Sequence, residues 1–269
     1  LLDTALFDAY FFDLDGTIFL GDRLLPDVEE TLATLRKNQK KVMFLTNTTV
    51  QTREDCLLRL SKLGVDVLRE EIMTAAYAAA LYFQEKASTA RVLIVGEPAM
   101  EREMMGFPIK LVQDPKVATH VLVGMDRTFT YEKLRQAADA VRGGAQLIVA
   151  NPDPVCPVQG GAVPDTGSLA RAIETASEAS VSDVIGKPSP YYAQKVFQLL
   201  DVLPKRCLMV GDRLETDILL GKNSGMKTAL VLTGVTTKRE LEASEIVPDY
   251  ILPTLGALHS GQSGEAGKR

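Results

Sequence analysis

Short apolar runs alternate along this chain with longer segments whose apolar residues recur every three or four positions. The runs at 9–12 and 42–45 read as buried strands, and 27–38 reads as a helix with Val28, Leu32 and Leu35 on one face. A second amphipathic helix is expected over 52–63, with Leu57, Leu60 and Leu63 along its stripe and Gly64 as its carboxyl-terminal cap. An Ala-rich helix over 75–84 closes this first series near Lys86. A second series follows, with strands at 91–95, 120–123 and 146–150 and a helix at 131–142 that stops at Gly143-Gly144. The Pro- and Gly-rich stretch 151–161 reads as a loop, 167–178 as a helix, and the small polar stretch 177–183 as the return crossing. A helix at 191–200 and strands at 207–210, 228–232 and 250–252 complete the pattern. Strands alternating with helices in this way predict βαβ units and a parallel sheet, hence an α/β protein.

Composition narrows the possible partners. At 269 residues, with 46% hydrophobic and 24% charged residues, the chain has the make-up of a globular protein with one large core or two domains. The net charge of -5 and the lack of a Lys/Arg stripe interleaved with aromatics argue against nucleic acid, though not against a local site for a small anion. No uncharged apolar stretch reaches the ~20 residues of a membrane span, and no basic segment followed by a long apolar run opens the chain as a secretory signal would. Cys56, Cys156 and Cys207 are odd in number and far apart, which fits reduced thiols and a cytoplasmic location better than a disulfide framework. The presence of only His120 and His259 argues against a zinc site built on several histidines, so oxygen atoms are expected to hold any metal. Residues 260–269, rich in Gly, Ser and Lys, are expected to be a disordered tail.

Four predicted strand ends carry residues with possible chemistry. Asp13-Leu14-Asp15-Gly16-Thr17 follows the first strand, at the carboxyl end where open α/β sheets place their ligands. Alternation along a strand puts Asp13 and Asp15 on one side and turns Leu14 to the other. Thr46-Asn47 follows the second strand, where a hydroxyl and an amide can hold a phosphate oxygen or simply cap a helix. Lys187 sits before Pro188-Ser189-Pro190, as a ligand or as a solvated loop lysine. Gly211-Asp212-Arg213-Leu214-Glu215-Thr216-Asp217 brings two more carboxylates to a strand end and the following helical turn, as site residues or as caps.

Taken in order, these residues resemble the haloacid dehalogenase superfamily, whose four motifs are matched by Asp13-Leu14-Asp15-Gly16-Thr17, Thr46, Lys187 and Gly211-Asp212 with Asp217. The match runs from 9 to about 255. Thr46-Asn47, Ala150-Asn151-Pro152-Asp153, Gly186-Lys187-Pro188-Ser189-Pro190 and Val231-Leu232-Thr233-Gly234-Val235 resemble its NagD-like or p-nitrophenylphosphatase branch. The resemblance implies a doubly wound, parallel-sheet, Rossmann-like core with an inserted α/β cap domain. The core segments would be 1–85 and 182–259, the cap 86–181 and the tail 260–269.

The resemblance further implies a magnesium-dependent phosphatase for small phosphorylated metabolites, sugar phosphates or nucleoside monophosphates, working through an aspartyl-phosphate. Asp13 would be the nucleophile and Asp15 the acid and base. Thr46, Asn47 and Lys187 would bind phosphate, while Asp13, the Asp15 carbonyl and Asp212 would hold Mg2+ and Asp217 one of its waters. Asn151 and Asp153, in the loop 151–161, would contact the substrate's remainder. The carboxylate at Asp15 supports phosphate-ester hydrolysis over the halide-releasing and ion-pumping branches, and the short 18–26 segment leaves little room for a cap after the first motif. A phospho-ligand-binding regulator without turnover and a phosphotransferase to a second alcohol use the same residues. A homodimer is expected from the family's caps.

Overall fold

Ala9–Phe12 is buried at every position and forms an interior strand of a seven-stranded sheet. Cys207–Gly211 and Lys41–Thr46 flank it, both parallel to it, with Phe11 opposite Met209 on one side and Met43 on the other. Lys227–Val231 and Tyr250–Leu252 extend the sheet in parallel beyond Cys207–Gly211, and Ile72–Thr74 lies at the opposite edge, beyond Lys41–Thr46. The chain therefore leaves its first strand towards one side and later returns on the other. In such sheets a reversal of this kind marks the usual ligand position, at the carboxyl ends of the strands on either side of it.

The computed structural model describes residues 4–158, 160–260 and 264–265. The chain forms two packed units, one drawn from 1–46, 57–73 and 187–269, the other from 47–56 and 74–186. In the first, the helix Val28–Lys37 buries Val28, Leu32 and Leu35, the stripe its spacing predicts, together with Thr31. Gly64 follows the helix Arg53–Lys62 at φ 86, a left-handed conformation that ends a helix at little steric cost. Of the tail expected over 260–269, Ser260 ends the helix Ala257–Ser260 and Gly264–Glu265 pair antiparallel with Tyr250–Leu252; residues 261–263 and 266–269 lie outside the described residues.

The second unit holds a parallel five-stranded sheet in the order Asp183–Val184, Gln146–Val149, His120–Val123, Arg91–Val95, Lys110–Leu111. Its core packs Val95, Val121, Val123 and Leu147 against Ala137, Ala140 and Val141 of the helix Tyr131–Arg142 and Ile173 of the helix Thr166–Ser177. The Ala-rich helix Ala75–Lys86 starts at Thr74, whose hydroxyl accepts the Tyr77 N–H at 3.0 Å. The stretch expected as an unpaired loop contains part of a hairpin, with Val155–Val158 antiparallel to Gly161–Pro164. A two-stranded ribbon has only edges, so its Pro residues remove no interior ladder bond and their presence does not prevent pairing. Among the described residues no disulfide joins Cys56, Cys156 or Cys207. Among the described residues no helix is long and apolar enough to cross a membrane.

Candidate active site

Three strand ends and one loop converge in the first unit. Asp13 extends the strand Ala9–Phe12 by one step, its N–H donating to the Val210 carbonyl at 2.9 Å. The Leu14 carbonyl then accepts the N–H groups of Thr17, Ile18 and Phe19, which folds the chain back sharply and keeps the Leu14 side chain inside. Gly16 makes this turn at φ 83, and a Cβ there would lie 2.5 Å from Asp212 Oδ2. The turn separates the two carboxylates that the strand pattern puts on one side: Asp13 is buried, whereas the Asp15 side chain is 67% exposed.

Asp212 follows the strand Cys207–Gly211 and is fully buried. Its Oδ2 accepts the Val235 N–H at 2.6 Å, and a Cβ on Gly234 would stand 2.0 Å from that oxygen, so the loop after Lys227–Val231 closes directly onto the carboxylate. Its other oxygen, Oδ1, is buried with no hydrogen-bond partner among the described residues. Asp217 comes from a wide π-type turn, Leu214–Ile218, with Oδ1 accepting from Lys187 at 2.7 Å and Oδ2 from the Arg213 N–H at 3.1 Å. The Lys187 ammonium, 2% exposed, also donates to Asp13 Oδ1 and to the Leu45 carbonyl at 3.1 Å. Thr46 is buried at the end of Lys41–Thr46, and its carbonyl accepts from the Tyr192 hydroxyl at 3.1 Å.

Burial dominates the electrostatics. It pushes the Asp13 carboxyl well above the usual range, with Lys187 pulling it down and Asp217 and Asp212 adding to the rise. Asp212 is pushed up to about 6 by burial and by Asp217, against the Val235 N–H, Arg213 and Lys187. Burial alone would lower the Lys187 ammonium, but Asp13 and Asp217 reverse that and hold it charged. Asp15 is accessible yet closely surrounded by protein atoms; this partial desolvation raises it, against Arg59, Lys187 and Arg213.

One carboxylate oxygen from each of Asp13, Asp212 and Asp217 lies within 4.8 Å of the others. Three carboxylates against one ammonium leave a formal charge of about minus two in a dry site, which a divalent cation would neutralise. Oxygen-only donors suit a hard ion such as Mg2+, and the unpartnered Asp212 Oδ1 is an atom such an ion would satisfy. Lys187 and the Arg213 amide already occupy both oxygens of Asp217.

The remaining sequence candidates lie in the second unit and hydrogen-bond to one another. Asn151 is buried, donating to the Asn47 carbonyl at 2.8 Å and the Thr166 hydroxyl at 3.1 Å, while its oxygen accepts the Asp153 N–H at 3.0 Å. Asn47 Nδ2 donates to Asp153 Oδ2 at 2.9 Å. Sequence reasoning overlooked Arg59, 3.9 Å from Asp15, and Tyr192, whose hydroxyl also reaches the Met73 carbonyl at 2.6 Å. Nothing in the local pattern marks either, since each reads as an ordinary helix residue.

Residues 10–110 match the haloacid dehalogenase-like hydrolase family and residues 184–258 the HAD-hydrolase-like family. Chronophin of Mus musculus is 37% identical over 268 residues, covering 93% of this chain and 91% of its own length. Sugar-phosphatase AraL of Bacillus subtilis is 32% identical over 243 residues, covering 90% and 89%. Among solved structures, 4-nitrophenylphosphatase from Thermotoga maritima superimposes with a TM-score of 0.91 at 35% identity, over 95% of this chain and 97% of that one. A glycerol phosphate phosphatase from Mycobacterium tuberculosis, in complex with magnesium, gives 0.88 at 31% identity, over 97% and 78%.

Proposed function

This chain belongs to the haloacid dehalogenase-like hydrolases, in their NagD and 4-nitrophenylphosphatase branch, and on that premise we propose that it hydrolyses small phosphate monoesters through an aspartyl-phosphate on Asp13. The observation that carries this reading is the buried Asp13 held by Lys187 beside Asp212 and Asp217. A phosphate dianion repels an anionic nucleophile, so positive charge has to be in place before attack. Lys187 supplies it to both partners, fixed by Asp13, Asp217 and the Leu45 carbonyl. Asp13, Asp212 and the Asp15 carbonyl would hold a magnesium ion, which when bound screens phosphate charge.

In the first half-reaction an Asp13 oxygen bonds to phosphorus as the ester P–O bond breaks, and Asp15 gives its proton to the departing oxygen. In the second, water attacks phosphorus, Asp15 takes the water's proton, and the Asp13–phosphorus bond breaks to release phosphate. The exposure of Asp15 and its raised pKa suit a group that meets the leaving alcohol and carries a proton to it. Thr46, at the adjacent strand end, is the proposed ligand for a phosphate oxygen.

The names of relatives, a sugar-phosphatase and a glycerol phosphate phosphatase among them, support phosphorylated sugars and polyols as the substrate class, with nucleoside monophosphates the other expectation. Asn151 and Asp153 form the proposed selectivity loop and hydrogen-bond to Asn47, which is kept as a proposed phosphate ligand. A cytoplasmic homodimer remains the proposed setting, testable by sedimentation. Steady-state phosphate release from 4-nitrophenyl phosphate with Mg2+ tests the activity: the wild type turns over, and Asp13→Asn falls by at least about a thousandfold. Unchanged release by Asp13→Asn would overturn the assignment.

A further inference from the structure

Arg59 makes three contacts around Asp15 that the chemistry above does not use. Its Nη2 donates to the Gly21 carbonyl at 2.9 Å, its Cζ lies 4.0 Å from the Phe19 ring centroid, and the same Nη2 is 3.9 Å from Asp15 Oδ1. Phe19–Leu20 pairs with Arg23–Leu24 in a small hairpin turned at Gly21, φ 58. That hairpin is tied to the first motif, because Phe19 bridges to Asp15 and its carbonyl accepts the Gly16 N–H at 2.8 Å. One planar guanidinium therefore grips the carbonyl at the hairpin's tip and the ring at its base, beside the carboxylate that leads into it.

Asp15 needs such support. Its side chain is 67% exposed, and an exposed carboxylate samples several rotamers unless something holds it. Arg59 is only 29% exposed, fixed by the ring beneath it and by the carbonyl. Lysine would keep the charge but not the flat fork that meets ring, carbonyl and carboxylate together.

We propose that Arg59 is a positioning residue: it clamps the Phe19–Leu24 hairpin and holds the Asp15 carboxyl in the orientation from which its proton reaches the departing oxygen. The inference rests on the phosphatase reading of the site. Proton donation matters little when the leaving group is a stable anion and greatly when it is a basic alkoxide. Loss of Arg59 therefore changes the sensitivity of the reaction to the leaving group, whereas loss of a general positive charge slows all esters alike.

The test is kcat/KM for 4-nitrophenyl, phenyl and benzyl phosphate, whose leaving groups rise in basicity in that order, with the full chain and Mg2+. For Arg59→Ala the benzyl ester is expected to lose roughly tenfold or more and the 4-nitrophenyl ester no more than about threefold, a part of the ~100-fold or greater effect of a general acid. Arg59→Lys is expected to follow Arg59→Ala. Arg59→Met, which keeps the aliphatic stem on Phe19, gives the same readout should the alanine variant not fold. An equal loss on all three esters, or full recovery by lysine, would overturn the inference while leaving the phosphatase reading intact. A wild type that hydrolyses none of them would overturn that reading, and this inference with it.

Discussion

Asp212 is fixed from two sides, by the Val235 N–H on Oδ2 and by the backbone of Gly16 and Gly234 pressed against that oxygen, while Oδ1 stays buried without a partner among the described residues. Gly234 is present because there is no room for a side chain, since a Cβ would lie 2.0 Å from Oδ2. Gly234→Ala is therefore expected to displace the carboxylate and weaken cation binding. A cation that binds only the folded chain raises its melting temperature by an amount that grows with the ratio of its concentration to its dissociation constant. Millimolar Mg2+ is expected to raise the wild-type midpoint and to leave that of Gly234→Ala nearly unmoved, with kcat/KM at least about tenfold lower. An undiminished Mg2+ shift in the variant would contradict the proposed dependence of cation binding on the placement of Asp212. Tyr192 acts on the same site more distantly, its hydroxyl reaching the carbonyls of Thr46, at the end of one strand, and Met73, within the neighbouring one.

At the scale of elements, Asp249 ties the outer strands together. Its carboxylate accepts from Lys227 at 2.7 Å, from the Thr228 hydroxyl at 2.8 Å and N–H at 3.0 Å, and from Lys222 at 3.2 Å. Burial pushes its pKa up, yet these donors outweigh burial and hold it below the usual carboxylate range. The folded chain thus prefers the anion more than the unfolded chain does. The resulting stability is complete above the unfolded value of ~3.9 and is lost as pH falls through the lower folded value. Asp249→Asn is expected to cost about 1–2 kcal/mol near neutral pH, and denaturant melts are expected to show the gap closing below about pH 4; a gap independent of pH would contradict the charge-based role. Strand ends such as Asp13, Thr46 and Asp212 were legible in the sequence because each ends an apolar run. Arg59 was not, since an arginine on the polar face of an amphipathic helix reads as solvated and its partners lie between 15 and 21. Very short strands, Phe19–Leu20 and Ile72–Thr74 among them, carry too few residues for alternation to register. The hairpin at 155–164 was hidden by the Pro and Gly that usually mark unpaired loops.

Across the whole molecule, the parallel sheet and the site have one origin. The chain crosses from Ala9–Phe12 to Lys41–Thr46 on one side and returns through Cys207–Gly211 on the other, so residues some two hundred positions apart in sequence meet at neighbouring strand ends. Lys187 enters on the segment that brings the chain back to this unit and binds Asp13 and Asp217 together. Breaking such a buried group on one side alone leaves uncompensated charge, so the cluster is held as a set. Within it Asp13 is the proposed nucleophile. The direct test is to quench the enzyme with acid during turnover of 4-nitrophenyl phosphate, reduce any acyl phosphate with borohydride and map the product by peptide mass spectrometry. Homoserine in place of Asp13, appearing only with substrate, is the expected result. Steady turnover with Asp13 unmodified at every quench time, or modification at another carboxylate, would contradict it.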